Sequence, residues 1–171
     1  MASVSLIAKY FTIKTACAIL PDQYLLDVAS IVELRNQPMA QFMLEFYLSG
    51  KGKTHDIKVK TEVLLKEDLG VYDEFRSNVL KDLLNNKNSG IVPIPQKIYK
   101  NQEWRNALGS INLQWRKISS RTVEVWFVNL YRWHPTDTRR MTQCVHQAAD
   151  NLKAKGAAEF KMIGEHILIS F

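Results

Sequence analysis

The 171-residue chain has only two cysteines, Cys17 and Cys144, too few and too far apart to lay out a disulfide framework or a zinc site. It has no uncharged apolar run of the roughly 18 residues a membrane-spanning helix needs. Ala2 to Leu20 is apolar enough to bring a signal peptide to mind, but Lys9 and Lys14 interrupt it, so a soluble protein without a surviving targeting segment is expected. Repeats and low-complexity tracts are missing too, which excludes solenoids and disordered linkers. The chain is long enough to bury a full core as one domain, with residues 1–35 read as an N-terminal helical extension of a 36–171 core.

What is present is ordinary globular composition, 46% hydrophobic and 23% charged, with a formal charge of +6. That charge favours an anionic partner: a phosphate-bearing substrate, nucleic acid or an anionic membrane surface.

The periodicity places helices early and strands late. Leu25, Leu26, Val28, Ala29 and Val32 fit a helix entered at Pro21-Asp22, and Met39, Phe42, Met43 and Phe46 a second one closing on Gly50 and Gly52. Ile57, Val59 and Val63 alternate with charged residues and predict a strand up to Lys66. Tyr72 to Leu83 resumes the helical period, and Pro93 and Pro95 mark an extended connector. Ser110 to Ile118 and the run from Val123 form a predicted hairpin about Ser119-Ser120. The second hairpin strand is apolar on both faces and reads as central, covered on both sides. Met141, Cys144, Val145, Ala148 and Leu152 mark a helix from about Arg139 to Lys155, followed by a last strand from Phe160 to Phe171. The expectation is an α+β domain: helices mainly in the first half, a mostly antiparallel β-sheet in the second, and one C-terminal helix packed on it.

Gly50-Lys51-Gly52-Lys53-Thr54 imitates a phosphate loop, but Tyr47 stands where the first glycine belongs, and the loop leaves a helix to enter a strand, the reverse of what aims amides at phosphate. The informative stretch is Arg121 to Arg140, where an apolar strand runs into a turn carrying Asn129, Tyr131, Arg132, Trp133, His134, Asp137, Arg139 and Arg140. His134 and Asp137 are the proton-transfer candidates, with Tyr131 beside them. Arg132, Arg139, Arg140 and Asn129 are the candidates for holding an anion, since guanidinium forks match phosphate and carboxylate. Asn129 has a plainer reading, bonding to neighbouring backbone. No cofactor is called for; His134, Asp137 and His146 lack the ligand spacing of a metal site, so a divalent metal enters only as an alternative.

The same stretch resembles the catalytic domain of colicin M type bacteriocins, toxins that cleave the lipid-linked peptidoglycan precursor. That family carries Asp-x-Tyr-Asp, five residues, then His-Arg. Here Tyr131 and Arg139 match, while Asn129, Arg132 and Thr138 replace Asp, Asp and His. The helix FMLEFYLSGKGK, the stretch NALGSINLQW, the strand VEVWFVNLYRWHP and Gly156 to Phe160 also resemble polymorphic bacterial toxin domains. The resemblance implies a secreted or delivered hydrolase acting on the bacterial cell envelope in the periplasm, with an immunity or carrier protein as partner. The replaced acids leave two rivals: a basic nucleic-acid-binding or metal-independent nuclease domain, and a catalytically degenerate interaction module.

Overall fold

The computed structural model describes residues 21–34, 36–132 and 143–171. They fall into two compact units, each discontinuous in sequence: residues up to Thr54 with Tyr131–Phe160, and His55–Leu130 with Lys161–Phe171.

The first unit holds α1 (Asp22–Glu33), α2 (Pro38–Leu48) and α6 (Gln143–Asn151), and α1 packs against α6. Helix α2 starts with Pro38 in its first turn, where a missing N–H costs nothing, and ends before Gly50 at φ 70°, a left-handed turn that glycine accepts without strain. Its buried stripe is Ala40, Met43, Leu44 and Tyr47. That corrects the face expected from Met39, Phe42, Met43 and Phe46: Phe42 is exposed, because the turn carried by Leu44 and Tyr47 wins the core. The glycines of the Gly50–Thr54 loop serve close backbone approach, since a Cβ at Gly50 would strike the Gly156 carbonyl oxygen and one at Gly52 the Glu159 carbonyl oxygen. Val145, Ala148 and Ala149 bury the expected face of α6, and Gly156, at φ 113°, closes the 3-10 turn Leu152–Lys155 that follows it.

The second unit contains the sheet, apart from the last residue of β4 and the first of β5. Its strands are β1 (Ile57–Val59), β2 (Ser89–Ile94), β3 (Ile111–Lys117), β4 (Thr122–Tyr131) and β5 (Phe160–Ser170), in the order β1-β5-β4-β3-β2. β2, β3 and β4 run antiparallel, with Val92 opposite Leu113 and Leu113 opposite Phe127. β5 is antiparallel to β4, as the Phe171 N–H to Arg121 carbonyl bond and the Thr122–Ser170 hydroxyl pair require. Only the edge pair β1–β5 is parallel. The fold is therefore α+β with a mostly antiparallel sheet, as the late alternation predicts, and the last element is the expected strand.

Four local readings change. Residues 61–66 form helix α3 (Thr61–Glu67), not a strand: Thr61, Leu64 and Leu65 are buried at helical spacing, and the four-residue step from Val59 to Val63 fits both periods. Helix α4 (Leu69–Leu84) begins one turn early because Asp68 caps it, accepting from the Val71 N–H. The expected proline connector is edge strand β2, where Pro93 is tolerated because an edge position need not donate to the ladder. The hairpin closes with both Ile118 and Ser119 N–H groups on the Thr122 carbonyl, a longer loop than a two-residue turn.

One sheet face is the core of this unit: Val92, Ile94, Leu113, Trp115, Val125, Phe127 and Met162 are buried. Helix α4 packs against β2, Thr61 of α3 donates to the Glu165 carbonyl of β5, and Leu108 of α5 (Gln102–Leu108) accepts from Asn129 of β4. β4 is central as expected, but its other face is open, with Val128 and Leu130 exposed. Along β5 the alternation shifts at Glu165 and His166, which are both exposed. Gly164 lies under the buried ring of Phe127, whereas His166 meets Trp126 on the opposite face, so a β-bulge separates them. β1 pairs only with Met162 to Gly164, and beyond Glu165 no strand among the described residues lies on that side of β5.

Candidate functional site

Tyr131 closes β4, and its ring stacks on Phe160 at 4.7 Å and 11°. Tyr47 of α2 tilts against it at 6.1 Å, while Phe46 meets Phe160 edge-on at 4.9 Å. Tyr47 is itself fixed, its hydroxyl donating to the Ala149 carbonyl at 2.8 Å and its own carbonyl accepting from the Ala158 N–H. These contacts follow from sequence order within the first unit: α2 delivers Phe46 and Tyr47, α6 supplies the carbonyl, and the chain after Gly156 brings Phe160.

Burial pushes the Tyr131 hydroxyl well above the usual phenol range, and the neighbouring Tyr47 adds to it. Burial likewise raises Tyr47, to about 12, against an opposing pull from Lys153. Both phenols therefore stay protonated at neutral pH. Tyr131 can donate a hydrogen bond to an anion, but it is not a general base. Nearby in the same unit, Lys153 is hydrogen-bonded to Asp150 and Glu159, which hold its ammonium charged far above the ordinary lysine range.

Arg132 follows Tyr131 directly, is exposed, and has no ion-pair or hydrogen-bond partner among the described residues. Asn129 takes its plainer reading: half-buried, it donates to the Leu108 carbonyl at 2.9 Å and so ties β4 to the end of α5. His134, Asp137, Arg139 and Arg140 lie outside the described residues, as does Trp133. Of the expected set, Tyr131 and Arg132 are thus placed at the strand end, with Asn129 in a structural bond.

Tyr47, Phe160 and the Asp150–Lys153–Glu159 cluster were not singled out in the sequence. Tyr47 was the one with a signal, lying four residues after Met43 on the apolar side of α2. A second polar cluster lies in the sheet unit. Glu124 on β4 pairs with Arg116 of β3 and with His166 Nδ1 of β5 at 3.1 Å, and the His166 ring stacks on Trp126 at 4.7 Å and 5°. Partial burial raises the Glu124 carboxyl, but hydrogen bonds from His166 and Arg116, with their charges, outweigh it and hold it below the usual range.

Cys144 is disulfide-bonded, and Cys17, outside the described residues, is the chain's only other cysteine. Among the described residues no cluster of three or more His, Cys, Asp or Glu side chains is arranged to hold a metal ion, and no helix is long and apolar enough to cross a membrane. Comparison with protein-family models, with curated proteins and with solved structures gives no match.

Proposed function

We propose that this chain is an antibacterial effector domain that acts on the bacterial cell envelope by binding and hydrolysing a phosphate-containing peptidoglycan precursor. The observation that supports this reading is the end of β4, where a buried phenol is followed at once by an exposed guanidinium without a partner among the described residues. Such a strand end carries a neutral donor and a cation, the two kinds of group that bind an anion. In this reading Arg132, Arg139 and Arg140 hold the phosphate, Tyr131 orients it, and His134 and Asp137 move the proton. Asn129 keeps the strand end in place through Leu108. The disulfide at Cys144 agrees with action outside the reducing cytosol.

The test is expression with and without a periplasmic signal in a sensitive cell, scored for killing. Killing only with the signal, reduced at least tenfold by Arg132→Ala, His134→Ala or Asp137→Ala, is the expected result. Killing only in the cytoplasm, together with oligonucleotide binding that weakens steeply as salt rises, would instead identify the nucleic-acid reading. No killing in either compartment would leave the interaction module. In each arm a reactive partner, such as an immunity protein, is sought by co-expression.

A further inference from the structure

Past the β-bulge at Glu165, β5 has no strand among the described residues on its outer side. Its register against β4 is fixed within the sheet unit. The Phe171 N–H donates to the Arg121 carbonyl, the Ser170 hydroxyl meets that of Thr122, and the His166 ring stacks on Trp126. Thr122 therefore faces Ser170, Trp126 faces His166, and Glu124 faces Leu168. Bonded and non-bonded positions alternate along an antiparallel ladder, and Phe171 is a bonded one. Ile169 and Ile167 accordingly turn their N–H and carbonyl groups to β4, whereas His166, Leu168 and Ser170 turn theirs outward.

The two strands that end the sheet carry residues that discourage strand addition: Lys58 on β1, with Lys60 just beyond it, and Pro93 on β2. The strip His166-Ile167-Leu168-Ile169-Ser170 has no such residue and reads polar, three aliphatics, polar in either direction. A second such strip laid antiparallel about a two-fold axis at Leu168 meets its own kind throughout. Leu168 faces Leu168 of the second copy, Ile167 faces Ile169, and His166 faces Ser170, with no lysine, arginine or carboxylate in the seam. Leu168 is 65% exposed, and Ile167 and Ile169 are half-buried, so the pairing covers aliphatic surface on both sides of the sheet. A strand of unrelated sequence matches this pattern only by accident, while a second copy matches it by symmetry.

We propose that β5 pairs with β5 of a second copy, joining two five-stranded sheets into one continuous sheet across a dimer. The outward positions form reciprocal hydrogen-bonded pairs, about six bonds in all, and main-chain bonds are what give edge addition its affinity. The strip is short, so the dimer is weak and its population rises with concentration. Each copy carries a formal charge of +6, which opposes approach, so added salt tightens the dimer. The pairing uses no group of the β4 end and is independent of the hydrolase reading.

The measurement is sedimentation velocity of the full chain over about a hundredfold range of concentration, at low and at physiological salt. A monomer–dimer equilibrium is expected. Leu168→Lys, which sets two ammonium groups across the axis, should weaken it by about tenfold or more, and its exposed position spares the fold. Ile91→Lys, at an exposed residue of β2, should leave it unchanged. In wild type, the amides of His166, Leu168 and Ser170 should exchange with solvent more slowly as concentration rises, while those of Ile167 and Ile169 stay protected throughout. A monomer at every concentration overturns the proposal, as does a dimer indifferent to Leu168→Lys or one lost with Ile91→Lys. Outward amides already protected in the dilute monomer overturn it too, since the chain itself would then cover this edge.

Discussion

In the helical layer of the sheet unit, a carboxylate goes fully inside and is satisfied by backbone. Asp68 accepts from the Val71, Lys100 and Asn101 N–H groups and joins the start of α4 to the chain entering α5. On the open face, Glu124 is met by two side chains instead, Arg116 and His166, one from each neighbouring strand. Both carboxylates tie together segments distant in sequence, but backbone donors cannot rotate away, whereas an exposed arginine and histidine can. The first arrangement is structural and rigid; the second is adjustable and responds to pH. A buried acceptor that loses its donors, or donors that lose their acceptor, leaves groups cut off from water, and that is what makes the inner arrangement costly to disturb.

The largest effect expected from this contrast is at Asp68. Asp68→Ala leaves one buried and two part-buried N–H groups without their acceptor and should cost about 3 kcal/mol, lowering the thermal midpoint by roughly 10 °C. An unchanged midpoint would mean that these amides find other partners. Next is Gly164→Val at the bulge. A Cβ there would lie 2.3 Å from the Phe127 ring and 2.8 Å from Thr61 Oγ1, so the covered face must shift, at about 2 kcal/mol. The same substitution at half-buried Ile163 or exposed Glu165 should be nearly silent, which sharpens the distinction between faces. Asn129→Ala removes the bond to Leu108 and should cost about 1 kcal/mol in denaturant titration.

The smallest effect belongs to Glu124 and is read as a slope. Its folded carboxyl is held below the ordinary 4.5, so its contribution is complete above that value and fades as pH falls through the lowered one. Glu124→Gln should lower the neutral-pH midpoint slightly and make the loss of stability on acidification shallower than in wild type, so that the two proteins converge at low pH. If the two proteins lose stability in parallel, the cluster contributes nothing to folding.

The parts of the fold set by near neighbours were readable from sequence. Alternation located β3, β4 and β5, the Pro21-Asp22 start located α1, and glycines marked the ends of α2 and the turn after α6. What was not readable depends on distant partners. Asp68 offers a local cap signal at most, and nothing around it announces that Lys100 and Asn101 will turn their amides toward it. Pro93 and Pro95 looked like breakers because sequence does not say that β2 is an edge. Trp104 stands beside Arg105 in sequence, yet it is buried and its indole N–H donates to Glu67 across 37 residues at 2.9 Å. In the candidate site, the need of a half-buried amide for a partner anticipated the bond made by Asn129. The phenol pair with Tyr47 was not anticipated, since its two members are far apart in the chain.

β5 outruns its partner. After Gly164 the ladder to β1 stops, and among the described residues no strand covers the row of backbone groups from His166 to Ser170, which holds neither lysine nor proline to discourage a visitor, while Leu168 is exposed. Concentrated stocks should therefore be handled as a solution of molecules with one adhesive rim, prone to grow by strand addition into fibrillar deposits, and a lysine at Leu168 would be the first remedy for storage.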